Sequence, residues 1–453
     1  MFDEIIENYK NDIINTTSEL IKFPSVSEET NLPDNPFGDN CTNCLNYFLN
    51  IASSLGFRTK NIDNYVGYVE FGDGDELVGI IGHLDVVPAL EEDGWTTSPF
   101  SPEVRDNKLF GRGSIDDKGP VVASLYAMKA IMDSVKVSKT VRLIVGLNEE
   151  KGWKCIDYYK DHEKWPTIGF SPDANFPGIY AEKGIMSISV TSPLNINGYE
   201  IIDINCKSNA INVVPKYVSI TLKGNQNIIL NESNDIKITK INNDLLKIES
   251  FGIAAHAAHP ELGKNAIKQL VEYLVNNFEF NENILKSYLE YGLFSITSPE
   301  FMSKNPIEDE SGILTSNVAS LSYENGKVTF NINLRVPVTY KLEDILDKYN
   351  YFKQESNDFT VSLLSTQNPL YIEKNSYLVE TLVNIFNKKA RLSSSPIAIG
   401  GGTYARAFDN CISYGLTMPG EKDMCHQVDE FVKIDDLILG SKIYAEAIYE
   451  LAK

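Results

Sequence analysis

The chain has 453 residues and a formal net charge of −21, because 62 acidic residues outnumber 41 basic ones. Its length and its 43% hydrophobic content indicate a folded protein with domains of about 100–200 residues each and exclude a disordered chain. The acidic balance argues against nucleic-acid and membrane partners, no apolar run approaches the roughly 18 residues of a membrane span, and six scattered cysteines suit reduced thiols, so we expect a cytoplasmic protein.

The first part of the chain alternates strand and helix patterns. Residues 76–88 (ELVGIIGHLDVVP) form an apolar run that ends in polar residues and proline, residues 120–134 (PVVASLYAMKAIMDS) have helical periodicity, and residues 140–150 (TVRLIVGLNEE) form a second apolar run. A strand, a helix and a strand in this order predict a parallel βαβ unit. Since ligands bind beyond the carboxyl ends of such strands, the charged residues that end both runs are candidates for chemistry.

From about residue 185 the pattern changes to alternating strands such as VTFNINLRV, which follows the hairpin-turn pair Asn325-Gly326. A helical pattern at 265–278 interrupts them, and amphipathic helices return later. We therefore predict an α/β fold in which helices flank a mixed, mainly parallel sheet and an α+β domain is inserted. The predicted boundaries are 1–184 and 368–453 for the two parts of the α/β domain and 185–367 for the insert.

Two short patterns at the predicted strand ends suit metal chemistry. In His83-Leu84-Asp85, a carboxylate near an imidazole could fix the tautomer of the ring and raise its basicity. In Glu149-Glu150, adjacent side chains on a strand would point opposite ways, one towards a metal ion and the other towards its water. Taken alone, each pattern is equally typical of structure, as a hydrogen-bonded buried histidine or a charged strand end.

The stretch LFGRGSIDDKGP at 109–120 places Asp116 and Asp117 side by side among glycines. A solvated turn, a phosphate-binding loop and a loop that offers a carboxylate to a metal ion are all compatible with it. The phosphate-binding loop is excluded, because the order G-x-x-x-x-G-K-[ST] is missing and negative charges stand where a phosphate needs donors. Asp173 and His426 add a further carboxylate and a second histidine, and two histidines with three of these carboxylates would be enough for two ions about 3.5–4 Å apart if one carboxylate is shared.

Seven motifs in order carry a resemblance to a known family. They are GHLDVVPALEEDGW, PFSPEVRDNKLFGRGSIDDKGP, LNEEKGW, SPDANFPGIYAEKG, GIAAHAAHPELGKNAI, GGTYAR and MCHQVDE. Between about residues 76 and 431 the chain resembles the M20 metallopeptidases, and most of all their PepV/Sapep-type bacterial dipeptidases. It departs from the usual pattern in the longer, more acidic PALEEDGW and in Ser114, where many relatives have alanine.

The resemblance implies a catalytic domain that binds two divalent ions, Zn²⁺ first and Mn²⁺ or Co²⁺ as alternatives. It implies that Glu149 is the general base and that Asp85 orients a ligand. It also implies an unusual, cis-peptide geometry between Asp116 and Asp117. The implied ligands are His83 and Asp173 for one ion, Glu150 and His426 for the other, and Asp116 shared between them.

The resemblance also gives the inserted domain a purpose as a lid that holds the substrate. His256 is similar to the histidine that stabilises the oxyanion of the tetrahedral intermediate, a task for a preorganised donor. Arg335 is similar to the arginine that binds the free carboxylate of the substrate; without the resemblance it reads as a surface arginine. Asn212 and Gly401 resemble further substrate-holding positions, whereas His259 and His162 match no role.

We therefore expect hydrolysis of the peptide bond of unblocked dipeptides. The alternatives are an M20-type amidohydrolase acting on N-acyl, N-succinyl or N-carbamoyl amino acids, and a metal-binding protein that has lost catalysis. Because the insert, 185–367, is long enough to cover an active site from within one chain, we also expect a monomer.

Overall fold

The structure, a computed structural model, describes residues 1–206, 210–224, 230–280, 284–351 and 359–453. The chain divides into two compact units. Unit 1 consists of Met1–Tyr180, Leu370–Ile397 and Gly402–Lys453, and unit 2 consists of Ala181–Pro369 and Ala398–Gly401.

Helices and short 3₁₀ turns account for one part of the described residues. The α-helices are α1 (Asp3–Asn8), α2 (Lys10–Ile21), α3 (Asp39–Ser54), α4 (Lys118–Met132), α5 (Lys154–His162), α6 (Ala266–Asn277), α7 (Ile284–Glu290), α8 (Leu342–Tyr349), α9 (Tyr377–Ala390) and α10 (Ile434–Ala452). The 3₁₀ turns are Glu91–Asp93, Pro260–Leu262 and Tyr404–Ala407. No helix among the described residues is long and apolar enough to cross a membrane.

Both units also contain strands. They are β1 (Arg58–Ile62), β2 (Val66–Phe71), β3 (Leu77–His83), β4 (Glu103–Arg105), β5 (Lys108–Phe110), β6 (Thr140–Gly146), β7 (Ile168–Ser171), β8 (Ile179–Glu182), β9 (Gly184–Pro193), β10 (Tyr199–Cys206), β11 (Tyr217–Gly224), β12 (Ile236–Lys240), β13 (Leu245–Phe251), β14 (Glu308–Asp309), β15 (Gly312–Ile313), β16 (Thr315–Glu324), β17 (Lys327–Val336), β18 (Thr360–Gln367), β19 (Leu370–Tyr371), β20 (Ile397–Ile399), β21 (Cys411–Ser413) and β22 (Phe431–Lys433).

A nine-stranded mixed sheet is the framework of unit 1. Its order is β1-β2-β6-β3-β7-β21-β8-β19, and β20 pairs with β8. The centre is parallel, because β3 pairs in parallel with β6 and β7, and β7 with β21. Every residue of β3 is buried, which is typical of a parallel strand covered on both faces. The predicted mixed sheet is thus confirmed, with antiparallel pairs at β1/β2, β2/β6 and β21/β8.

Helix α4 determines where the acidic stretch 109–120 lies. It packs against α10, β3 and β6, and nearly all of its residues are buried, as in a helix that is apolar all round. Its first residue is Lys118, directly after Asp116 and Asp117. The two acids therefore lie at the amino end of a core helix that packs against the central strands.

Unit 2 contains two antiparallel sheets, β16-β17-β9-β18 and β10-β11-β13-β12. Helix α6 packs against β11, β13 and β16, and apolar residues from the helix and both sheets form one core. The predicted hairpin is confirmed: β16 and β17 pair through Glu324 and Lys327, and Asn325 and Gly326 between them have φ values of 50° and 78°. The insert is therefore α+β in character.

The structure departs from the sequence-based boundaries after β20 begins. Residues 398–401, which we assigned to the second part of the α/β domain, cluster with unit 2. The Lys183 amide donates to the Ile399 carbonyl at 3.0 Å, and Arg335 Nη1 donates to the Gly400 carbonyl at 2.8 Å. These contacts join residues distant in sequence, so periodicity along the chain could not predict them.

Candidate metal centre

Three neighbouring strands of unit 1 end beside one another, and the candidate ligands lie at or beyond those ends. His83 is the last residue of β3, Glu149 and Glu150 follow β6, and Asp173 follows β7. Because β3 pairs in parallel with both β6 and β7, their carboxyl ends share one edge of the sheet.

His83 is buried and its ring is fixed by a main-chain contact. Nδ1 lies 2.9 Å from the carbonyl oxygen of Asp85, which can only accept, so in the neutral ring Nδ1 carries the hydrogen and Nε2 has the free lone pair. Nε2 lies 3.1 Å from Asp116 Oδ1 and 3.5 Å from Asp173 Oδ2. The lone pair of His83 thus faces two carboxylates.

Asp85 lies beside His83 through two of its groups. Its carbonyl oxygen is 2.9 Å from Nδ1 and its nearer carboxylate oxygen is 3.5 Å from the same atom, and the expectation that Asp85 orients His83 stays a prediction. The carboxylate accepts the amide hydrogens of Glu149 and Glu150, one on each oxygen, both at 3.1 Å. One buried residue therefore positions both the end of β3 and the turn after β6.

Glu149 and Glu150 lie in that turn rather than on the strand, which ends at Gly146. The expectation that neighbouring strand residues point opposite ways is therefore wrong for this pair. Glu150 Oε1 lies 3.1 Å from His426 Nε2. Glu149 Oε1 accepts the indole N–H of Trp153 at 3.2 Å, so the two carboxylates have different partners.

Asp116 lies between the two histidines. Its Oδ1 is 3.1 Å from His83 Nε2 and its Oδ2 is 3.1 Å from His426 Nε2. Within the described residues, His83, Asp116 and Asp173 form one group that could hold a metal ion, and Asp116, Glu150 and His426 form another, each with its ligand atoms within 4.8 Å of one another. A carboxylate common to both groups, with one oxygen towards each, has the arrangement of a bridging ligand.

The turn that presents Asp116 depends on glycine at two places. Gly113 has a φ of 86°, and a Cβ at Gly119 would lie 2.1 Å from the Ser114 carbonyl oxygen. The peptide bond between Asp116 and Asp117 is cis, as the resemblance implied. Asp117 Oδ2 accepts the amide hydrogen of His83 at 3.1 Å, so the second acid supports the strand end while the first faces the histidines.

The electrostatics of the cluster favour a cation. Burial opposes the charged form of His426, but the Asp116 and Glu150 carboxylates outweigh it and raise the pKa of the imidazole to about 11. Burial likewise opposes protonation of His83, yet its carboxylate neighbours hold that pKa well above its ordinary value. Burial raises the pKa of Glu149 well above its usual range. The carboxylates that attract protons here would also attract metal ions, so protons and metal compete.

The residues fit divalent metal ions. His83 Nε2 is buried without a hydrogen-bond partner among the described residues, and its lone pair faces two carboxylates, an arrangement suited to an imidazole that binds a cation. The donor set of imidazole nitrogens and carboxylate oxygens suits Zn²⁺, and Mn²⁺ and Co²⁺ accept the same ligands.

The four substrate-holding candidates lie in unit 2, linked by a series of contacts. The Ala257 amide donates to the Asn212 carbonyl at 2.8 Å, placing the segments of Asn212 and His256 side by side. A Cβ at Gly400 would lie 2.8 Å from that of Ala258, which places Gly400, the neighbour of Gly401, beside the segment of His256. The Gly400 carbonyl in turn accepts from Arg335 Nη1.

Within this group, Arg335 and His256 have defined settings. Arg335 is only 3% exposed, so its interpretation as a surface arginine is wrong; Nε donates to Asn333 Oδ1 at 2.9 Å. The exposed ring of His256 accepts the Ala258 amide hydrogen on Nδ1 at 3.2 Å, so the neutral ring carries its hydrogen on Nε2. In that tautomer Nε2 is a hydrogen-bond donor.

Comparison with known proteins identifies the family. Residues 79–450 match the sequence pattern of Peptidase family M20/M25/M40. The chain belongs to this family. The resemblance inferred from the seven motifs is therefore confirmed, and the chain is a peptide hydrolase.

Full-length relatives of this M20 peptidase carry dipeptidase names. "Putative dipeptidase YtjP" of Bacillus subtilis (strain 168) is 36% identical, with 98% of each chain covered. A "Putative dipeptidase" of Staphylococcus epidermidis (strain ATCC 12228 / FDA PCI 1200) is 34% identical, covering 100% of this chain and 99% of the relative. The crystal structure of human carnosine dipeptidase 1 has the same fold, with a TM-score of 0.61 at 15% identity, covering 100% of this chain and 98% of that one.

Sequence reasoning missed three residues beside the candidate metal centre of this M20 peptidase. Trp153 contacts Glu149, and the ring of Tyr404 lies edge-on to both Trp153, at 5.3 Å, and His83, at 6.1 Å. Glu430 is buried and contacts the backbone of Asp116. The motifs LNEEKGW, GGTYAR and MCHQVDE contain all three, so the signal was present without a stated role.

The remaining histidines and the CxxC pair stand apart from the centre. His162 is exposed, stacked on Tyr158, and His259 is exposed beside Glu261. Cys41 and Cys44 are buried on α3 without a disulfide.

Proposed function

We propose that this M20 peptidase is a dinuclear metal-dependent dipeptidase. The observation that carries the proposal is Asp116, because each of its oxygens lies 3.1 Å from a different histidine and it belongs to both candidate metal groups. In the proposal, His83 and Asp173 hold one ion, Glu150 and His426 hold the other, and Asp116 is shared.

The metal pair, Zn²⁺ in the first instance and Mn²⁺ or Co²⁺ as alternatives, would lower the pKa of a water molecule and polarise the scissile carbonyl. Glu149 would take the proton from the attacking water and later deliver it to the leaving amine. Burial favours the protonated carboxyl and nearby cations favour the carboxylate, so Glu149 suits a group that gains and loses a proton in each turnover. Asp85 keeps the Glu149 amide in place.

Unit 2 would act as the lid that holds the substrate. We propose that His256 Nε2–H donates to the oxyanion and that the Arg335 guanidinium binds the free carboxylate of the substrate. Asn212 and Gly401 would contact the substrate in the same region, Gly401 through its backbone, which no Cβ obscures. The tautomer of His256 and the linked contacts of the four residues support these roles.

The proposed substrates are unblocked dipeptides. Support comes from the family assignment and from the dipeptidase names of relatives that span the full chain. We propose further that the enzyme acts as a monomer. We also propose that it acts in the cytoplasm, because its six cysteines form no disulfide, as is usual in a reducing compartment.

A substrate panel tests the proposal. Purified protein would be freed of metal, reloaded with Zn²⁺, Mn²⁺ or Co²⁺, and assayed against unblocked dipeptides, β-alanyl dipeptides, N-acyl, N-succinyl and N-carbamoyl amino acids. We expect metal-dependent release of free amino acids from the dipeptides. Turnover of the N-substituted amino acids alone would show that the enzyme is an amidohydrolase and not a dipeptidase. Metal binding without any turnover would indicate a protein that has lost catalysis.

Oligomeric state has its own measurement. Light scattering at several protein concentrations should give the mass of a single chain, near 50.7 kDa. A dimer that persists on dilution would contradict the monomer.

A further inference from the structure

Glu430 is a buried acid that joins two distant loops of unit 1. It has no exposed surface. Its Oε1 accepts the amide hydrogens of Ile115 at 3.0 Å and Asp116 at 3.3 Å, and its Oε2 accepts from Arg112 Nη1 at 2.6 Å. Its own carbonyl accepts the Gly111 amide at 3.0 Å. One residue therefore holds the turn from Gly111 to Asp116 at four points.

Glu430 also lies on the segment that carries His426. Glu430 lies four positions after His426, and β22 begins directly after Glu430 and pairs with β5, which ends at Phe110 just before the acidic turn. The same short segment thus makes two contacts with Asp116. His426 lies beside Asp116 Oδ2, and Glu430 accepts the backbone amide hydrogen of Asp116.

The energetic cost of burying Glu430 indicates that its contacts matter. A buried carboxylate is costly unless charge and hydrogen bonds compensate it. Arg112, only 4% exposed, supplies the charge, and the two amides supply hydrogen bonds. Both oxygens are engaged in this way, and Glu430 belongs to neither candidate metal group of the described residues. Glu430 therefore holds the backbone of the acidic turn in place and is not a candidate metal ligand.

We propose that Glu430 is a positioning residue that sets the shared carboxylate of Asp116 against His426, so that the two ions bind as a pair. This inference rests on the proposed dinuclear centre. If the Asp116 backbone moves, Oδ1 and Oδ2 move together, so binding of both ions should weaken, not only of the one nearest Glu430. Partners of this kind typically contribute about 10–100-fold in metal affinity.

Metal titration of Glu430→Gln tests the proposal. The amide keeps the size of the side chain but cannot accept at both ends, so it loses either the backbone amides or Arg112. We expect the Kd of each ion, measured by competition with a chelator, to rise about 10–100-fold. In the Co²⁺-loaded protein, the visible absorption and the magnetic coupling between the ions should change, because both report on the bridge.

Asp429→Asn is the matched control. It makes the same chemical change one residue earlier, at a half-buried residue whose carboxylate oxygens accept from the amide and hydroxyl of Thr96, at 2.8 and 2.6 Å, rather than from the acidic turn. Metal affinities and cobalt spectra of this variant should match those of the unchanged chain.

The outcomes separate the inference from the function on which it rests. Failure of the unchanged chain to bind two ions would overturn the dinuclear centre itself. If the unchanged chain binds both, then unchanged affinities in Glu430→Gln, weakened binding of one ion only, or a lower metal-free Tm with unchanged affinities would each overturn the positioning role. Should Glu430→Gln not fold, Glu430→Asp, which keeps the charge but is one methylene shorter, decides by the same measurements.

Discussion

The two units hold their candidate chemistry in contrasting settings. In unit 1, His83 and Asp116 are 0% and 7% exposed and lie at the end of a central strand and the start of a core helix. In unit 2, Asn212 and His256 are exposed on loops, and Arg335 alone is buried. Metal ligands need a rigid scaffold that fixes distances, whereas groups that receive and release a substrate need access. We therefore expect substitution of the candidate ligands in unit 1 to change metal content, and substitution in unit 2 to change kcat while metal content stays the same.

The largest effect should come from Asp116→Ala. Because both candidate groups share this carboxylate, both ions should be lost and activity should fall by about 10³-fold or more, the consequence of removing several kcal/mol of metal stabilisation. Elemental analysis measures the ions. Asp117→Ala, which removes the contact to the His83 amide, should keep the ions at weaker affinity. Retention of both ions by Asp116→Ala would show that this carboxylate is not the bridge.

Glu149→Gln should separate catalysis from metal binding within unit 1. The amide cannot take a proton, so kcat should fall by about 10²–10⁴-fold while metal content and KM stay unchanged. The measurement is steady-state kinetics on the metal-loaded variant, with ion content determined on the same sample. Loss of metal together with activity would make Glu149 a ligand or a structural group.

His256→Ala tests the contribution of unit 2 to catalysis. Removal of one oxyanion donor should lower kcat by about 10²–10³-fold with metal content unchanged, because His256 belongs to neither metal group. His259→Ala is the matched control, since that exposed histidine lies three residues away and pairs with Glu261. An equal loss of kcat in the two variants would show that His256 does not stabilise the oxyanion.

Trp153→Phe should give the smallest effect. Phenylalanine keeps an aromatic ring beside Tyr404 but lacks the indole N–H that Glu149 Oε1 accepts. Loss of one hydrogen bond to a charged group should lower kcat by about tenfold, with KM and metal content unchanged. Unchanged kcat in this variant would show that Trp153 does not orient the base.

The sequence by itself determined the family, the central βαβ unit and the candidate ligand set, because these depend on local features. Periodicity placed β3, α4 and β6, and charged residues after apolar runs marked the sheet edge at which His83 and Asp173 meet. Short ordered motifs then distinguished this edge from an ordinary charged surface.

Only the tertiary structure decided how those residues are supported. Glu430 and Arg112 are 318 positions apart, and nothing local indicates that they form a buried pair beneath the acidic turn. The same holds for Asp85, whose carboxylate accepts two amide hydrogens from the turn after β6, and for Arg335, which the sequence alone suggests is a surface arginine but which is buried. The physical reason is that burial and long-range hydrogen bonds depend on which segments pack together, whereas periodicity reports only on neighbours along the chain.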